Sequence, residues 1–146
     1  MTETSLRQEF EIRGGDFARA GEASCEIKNL LKELGLAVQV VRRAAIISYE
    51  AEMNVIMYAG SGRLDLSVTS DRVQIVVEDR GPGIEDVELA MSEGYSTATP
   101  EMRELGFGAG MGLPNIKKNS DIFRIQSEVG RGTRLEMTIR TNGHKP

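Results

Sequence analysis

Over residues 6–12, LRQEFEI, apolar and polar side chains alternate in the period of a strand with one buried face, and Gly14-Gly15 ends the pattern. From Asp16 to Leu34 the period changes. Phe17, Ala20, Ala23, Ile27, Leu30, Leu31 and Leu34 recur at helical spacing, which predicts a helix with Asp16 as N-cap and Gly35 as its stop. A second helix is predicted from about Val38 to Tyr58, closed by Ala59-Gly60-Ser61-Gly62. The segment RLDLSVTSDRVQIVVED then reads as two strands, 63–69 and 72–79, joined by a turn at Ser70-Asp71. A short helix near 85–91 and a long irregular stretch lead to a third helix that begins between Met111 and Leu113. Two more alternating runs, DIFRIQSEV and TRLEMTIR, follow on either side of Gly130-Arg131-Gly132. Helices segregated from strands in this way predict an α+β fold, a two-layer sandwich whose mixed, mainly antiparallel sheet is covered on one face by helices. No fixed-period repeat and no Pro- or Ser-rich linker divides residues 1–146, so one domain with a polar tail at 141–146 is expected.

Composition changes the picture mainly by exclusion. A chain of 146 residues that is 40% hydrophobic can bury one core. Its 18 Lys and Arg against 22 Asp and Glu leave a net charge of −4, which argues against a protein that holds nucleic acid by general electrostatics. The sole cysteine, Cys25, rules out an intrachain disulfide or a Cys-rich zinc site and is expected in the core of the first helix. The sole histidine, His144, lies in the polar tail, so Ser-His-Asp or Cys-His catalysis has no base and a phosphohistidine relay is disfavoured. MTETSLRQEF lacks the basic and apolar regions of a leader, and no apolar run approaches the roughly 20 residues of a membrane helix. A cytoplasmic protein without membrane contact is expected.

Three features break the patterning. Glu50 and Asn54 lie four apart on the second helix and so share a face that also carries Ile46 and Ile47. Either they form a solvated flank with Glu52 alongside, or they are a pair of hard oxygen donors suited to Mg²⁺ and to a hydroxyl beside it. Asp79-Arg80-Gly81-Pro82-Gly83-Ile84 directly follows the strand of Val73, Ile75 and Val77. It reads as a surface turn, or as an acid beside cleared space that suits the amino edge of a flat heterocycle. Finally, ELGFGAGMGLPN places glycines at 106, 108, 110 and 112 ahead of a helix, as a hinge or as a backbone cradle for an anion.

In this order and spacing, Glu50-x-x-x-Asn54, Asp79-x-Gly81-x-Gly83 and the run from Gly106 to Gly112 resemble the N, G1 and G2 boxes of the GHKL or Bergerat ATP-binding family. Gly130-Arg131-Gly132-Thr133 resembles that family's G-x-G-T element. The resemblance covers roughly residues 38–140, and the first strand and helix also fit that fold. Within the family the chain is similar to the small anti-sigma-factor serine kinases of bacterial sporulation and stress switches, in its size and in GYSTATPEMRELGFGAGMGLPNIKK. Gly-Tyr-Ser-Thr and Gly-Leu-Pro-Asn-Ile-Lys resemble the stress-switch kinases, and Thr97-Ala98-Thr99-Pro100-Glu101 with Arg103 the sporulation and general-stress kinases.

The resemblance implies ATP and Mg²⁺ as cofactors and a seryl hydroxyl as acceptor. Glu50 would be the general base and Asn54 the Mg²⁺ ligand. Asp79 would accept from the adenine amine with Thr133 assisting through water, while Gly81 and Gly83 let the chain pass close to the base. Gly106, Gly108, Gly110 and Gly112, with Met111 and Leu113, would wrap the triphosphate. Thr97 and Arg103 would join the nucleotide site, and Lys117 or Lys118 are further candidates for a phosphate contact. Implied partners are a sigma factor, a STAS-domain antagonist or a signalling scaffold, with a homodimer whose surface is the exposed face of the first helix. Two other readings stand beside the kinase: a nucleotide-sensing binding module without catalysis, and a histidine-kinase-like ATPase acting in trans. Competing phosphate sites fail on the residues. A Walker A loop needs a Gly-Lys pair, which the chain lacks, and a dinucleotide fingerprint meets Leu113 or Met111 where its third glycine belongs.

Overall fold

The computed structural model describes residues 4–92 and 112–141. Five strands, β1 (Thr4–Arg13), β2 (Ser61–Thr69), β3 (Arg72–Asp79), β4 (Ile122–Glu128) and β5 (Gly132–Arg140), form one sheet in the order β1-β2-β3-β5-β4. All four pairings are antiparallel, so the expected mixed character is absent among the described residues. The helices are α1 (Glu22–Glu33), α2 (Val38–Tyr58), α3 (Val87–Ala90) and α4 (Gly112–Lys118). α2 packs on α1 on one side and α4 on the other, and lies across β1, β2, β3 and β5.

The alternation along the strands sets which face α2 covers. Leu64, Leu66 and Val68 of β2, Val73, Ile75 and Val77 of β3, and Leu135, Met137 and Ile139 of β5 are buried together with Ile47, Ala51 and Val55 of α2. Each fully buried aliphatic side chain contributes about 1.5–3 kcal/mol, which makes this the dominant favourable term. The opposite face is paved with charge: Arg63 lies within ion-pair distance of Glu9, Asp65 and Glu78, and Arg134 of Glu78 and Glu136.

One predicted helix is divided in two. Instead of running from Asp16 to Leu34, the chain makes a 3-10 turn at Phe17–Arg19 and starts α1 only at Glu22. Gly21 causes the break, because its φ of 95° is open to glycine at little cost and turns the chain out of the helix. Asp16 caps nothing with its side chain, and Gly35, at φ 78°, does follow the end of α1 as expected. The new register also corrects Cys25, which is exposed because α1 turns Ala23, Ser24, Ile27 and Leu31 inward instead.

A glycine at the N-cap has no side chain for the first amides of α1, and Glu52 of α2 takes that role. Its carboxylate accepts from Gly21 N at 3.2 Å, Ala23 N at 3.3 Å and Ser24 N at 3.2 Å. Glu52 is only 3% exposed, so it does not belong to a solvated flank. Burial lifts its pKa above the ordinary value of 4.5, and the three N–H bonds oppose that rise.

Removing this carboxylate in Glu52→Ala strands three donors at a buried helix end and is expected to cost about 2 kcal/mol. That corresponds to a fall of roughly 4–8 °C in Tm, read from a thermal melt. The pH dependence has a definite sign. Since the folded chain binds this proton more tightly than the unfolded chain, stability from Glu52 is highest below its ordinary value of 4.5 and declines as pH rises through the raised value. Denaturation of wild type and Glu52→Gln at several pH values across that range should show the stability of wild type relative to the variant falling as pH rises.

Candidate functional site

Glu50 and Asn54 are half-buried on the side of α2 that meets α4. Helical spacing places them one turn apart on one stripe, and Gly112, the first residue of α4, sits against both. A Cβ added to Gly112 would lie 3.4 Å from Glu50 Oε1 and 3.5 Å from Asn54 Oδ1. Two oxygen atoms thus converge on a position left without a side chain. Asn115, one turn further along α4, donates from Nδ2 to Glu50 Oε2 at 3.2 Å.

α4 has only seven residues, too few to hold its shape alone, and tertiary contacts fix it. Leu113 and Ile116 are buried in the core. Arg43 of α2 donates from Nε to the Asn119 carbonyl at 3.0 Å and from Nη2 to Asp121 Oδ1 at 3.1 Å. The other Asp121 oxygen, Oδ2, accepts from Arg140 N at 2.7 Å, which ties the same corner to β5.

Asp79 lies in the inward-facing series of β3 that begins with Val73, Ile75 and Val77, and so continues that buried stripe to the sheet end. Its Oδ1 accepts from Gly81 N at 2.9 Å and Thr133 N at 3.1 Å, while Oδ2 takes part in neither bond. Around it, the Ser127 and Thr133 hydroxyls meet at 2.8 Å, and Ile84 N donates to Ser127 Oγ at 2.7 Å. Gly81 presses on the end of α2, where an added Cβ would come within 3.0 Å of Ala59 Cβ and 3.1 Å of the Tyr58 carbonyl oxygen. Gly83, at φ +81°, backs onto Glu128, whose carbonyl an added Cβ would overlap. Both glycines therefore have a packing reason in addition to any approach to a ligand.

These two groups are joined by one helical stripe. Glu50, Asn54 and Tyr58 follow at intervals of four, and the Asp79 turn docks where that stripe ends, about 12 Å along the axis from Glu50. An open groove of about 640 Å³ meets Asp79, Ser127 and Thr133 from the charged side of the sheet, and Glu50 and Asn54 are not among its walls.

Of the residues expected from sequence, Glu50, Asn54 and Gly112 are brought together, as are Asp79, Gly81, Gly83 and Thr133. Leu113 is buried in the core. Lys117 and Lys118 are exposed in the last turn of α4, about 8 Å along its axis from Gly112, and do not join the Glu50–Asn54 group. Thr97, Arg103, Gly106, Gly108, Gly110 and Met111 lie outside the described residues. Ser127 and Asn115 were not expected. Ser127 had a signal, since it follows Phe123 and Ile125 in the inward-facing series of β4 at a place that calls for an apolar residue.

Among the described residues no helix is long and apolar enough to cross a membrane. Comparison with known proteins matches residues 31–143 to the family of histidine kinase-, DNA gyrase B-, and HSP90-like ATPases. The chain is 34% identical to "Serine/threonine-protein kinase RsbT" of Bacillus subtilis over 113 residues, which are 75% of this chain and 79% of that protein. It is 28% identical to an "Anti-sigma F factor" of Clostridium kluyveri over 94% of both chains, and 30% identical to one of Clostridium perfringens over 71% of this chain and 67% of the other. With the antiparallel sheet, its covering helices and the oxygen donors of α2 in place, the match over most of its length means that this chain belongs to the histidine kinase-, DNA gyrase B-, and HSP90-like ATPase family.

Proposed function

We propose that the protein is an ATP-dependent serine protein kinase and anti-sigma-type regulator, which binds an antagonist protein of the STAS type and phosphorylates a serine on it. The convergence of Glu50 Oε1 and Asn54 Oδ1 over Gly112 carries this reading. A module that only senses nucleotide has no use for a carboxylate beside the amide oxygen. The names of two relatives, a serine/threonine-protein kinase and an anti-sigma F factor, point the same way.

The residues fit the groups the family uses. Asn54 offers a neutral hard oxygen, and no group of three or more His, Cys, Asp or Glu side chains gathers for a metal among the described residues. Asn54 would hold a Mg²⁺ ion that would draw its other oxygens mostly from phosphate and water, as this ion commonly does. Asp79 keeps Oδ2 for an exocyclic amine, with Oδ1 held by Gly81 N and Thr133 N. Bound ATP with Mg²⁺ supplies the phosphoryl group and offsets its negative charge.

In this reading Glu50 receives the proton of the incoming seryl hydroxyl and directs its oxygen in line with the transferred group. Catalysis is then mostly positioning and electrostatics, which a rigid helix provides. Partners dock on the protein's exterior, and we assign the exposed side of α1 to a homodimer contact.

Glu50→Gln should lower phosphoryl transfer by about 10²–10⁴-fold while leaving ATP affinity within about twofold, measured by labelled-phosphate transfer and calorimetry. The labelled product should be acid-stable phosphoserine; acid-labile phosphohistidine would replace this reading with the trans-acting histidine kinase. Asp79→Asn keeps an oxygen for Gly81 N and Thr133 N but turns an amide donor toward the adenine amine, so ATP binding should weaken by about 1–3 kcal/mol with little change in Tm. Gly112→Ala should fold normally, because its methyl meets Glu50 and Asn54 at ordinary contact distance. It should nevertheless reduce transfer by roughly tenfold or more by occupying the space they face.

A further inference from the structure

We infer that Asn115 is a positioning residue for the phosphoryl-transfer step: it holds one oxygen of the Glu50 carboxylate so that the other faces the incoming hydroxyl. The inference rests on the assignment of Glu50 as the base. A glutamate carboxylate turns about its last bond within a broad torsional well, so a half-buried glutamate does not by itself present one oxygen. Here the two oxygens are distinguished. Oε2 accepts from Asn115 Nδ2 at 3.2 Å, and Oε1 is the atom that lies over Gly112 beside Asn54 Oδ1.

The residue that carries this amide is held in place through its backbone and its neighbours. Asn115 stands one turn from Gly112 on α4, between Leu113 and Ile116, which are both buried. Its main-chain carbonyl accepts from Asn119 N at 3.2 Å and from Asn119 Nδ2 at 2.9 Å. The Asn119 carbonyl in turn accepts from Arg43 Nε, and Arg43 also reaches Asp121. α2 therefore grips the far end of α4 through Arg43 while the near end delivers Gly112 and Asn115 to Glu50. An amide suits the position because it offers a neutral donor to a carboxylate; an aspartate of the same shape would set two acids face to face.

In the step itself, the seryl O–H proton passes to Glu50 Oε1, the oxygen forms a bond to the γ-phosphorus, and the bond from that phosphorus to the bridging oxygen breaks. ADP leaves with the electron pair. Asn115 touches none of these atoms and acts only through Glu50. A displaced base costs rate without costing nucleotide affinity, since misplacement of about 1 Å is worth up to roughly a hundredfold.

The test compares wild type, Asn115→Ala, Asn115→Asp and Glu50→Gln for single-turnover transfer to a serine-bearing protein substrate, ATP affinity by calorimetry, and Tm. Asn115→Ala and Asn115→Asp should lower the transfer rate by roughly 10–100-fold, with ATP affinity within about twofold and the Tm little changed. The aspartate variant should be the slower of the two. Full transfer in both variants, with Glu50→Gln inactive, overturns the role of Asn115 and leaves the base assignment standing. Full transfer in Glu50→Gln overturns the base assignment itself. A loss of ATP affinity that matches the loss of rate in the Asn115 variants also overturns the proposal, by making Asn115 a nucleotide contact. Should the alanine variant prove unstable, Asn115→Asp, which preserves the side-chain shape, decides between these outcomes.

Discussion

The arrangement depends on the angular period of one 21-residue helix. Residues two apart on α2 are separated by about 200°, so Glu50 and Glu52 point to opposite sides. Glu52 turns inward to α1 and supplies the acceptor that Gly21 lacks. Glu50 turns to α4 and stays half-buried beside Asn54. Between them the third side, with Ile47, Ala51 and Val55, lies on the sheet. Two carboxylates with different surroundings are thereby held in one rigid body, one bonded to the start of α1 and the other facing Gly112 and Asn115.

The sheet order completes the second half of the site. Because β5 pairs with β3, the start of the last strand is placed beside the end of β3, and Asp79 receives the Thr133 amide across that boundary. β4 lies on the other side of β5, so Ser127 stands opposite Thr133 and holds Ile84 after the glycine turn. Residues 43 and 54 positions apart in the chain thus share one polar junction at the rim of an apolar core. Gly81 and Gly83 fit this junction because the end of α2 and the carbonyl of Glu128 leave no room for a side chain.

The two ends of α4 have different tasks. Its N-terminal turn brings Gly112 and Asn115 to Glu50, and its C-terminal end is fastened by Arg43 and Asp121 to α2 and β5. A short helix gains little from its own hydrogen bonds, so its direction is set by what grips it. That makes the geometry around Glu50 a property of the packed α2–α4 pair. The charged outer face of the sheet has no share in it, since its ion pairs are exposed and worth at most about 1 kcal/mol each.

Much of this was legible in the chain because it follows from short periods. The strand alternation, the span of α2, the common face of Glu50 and Asn54 and the place of Asp79 at the end of a buried series all depend on residues within one or two turns of each other. What tertiary structure decided lies at longer range. The helical pattern of residues 16–34 carried no sign that Gly21 would take positive φ, because the compensating acceptor sits 31 residues away on another helix. For the same reason Glu52 read as a companion of the solvated flank, although it is buried. The contact of Asn115 with Glu50, 65 residues apart, exists only once α4 is packed on α2. Local sequence determines which way each side chain leaves its own helix or strand, whereas the partner it meets is set by packing between segments that the chain brings together from afar.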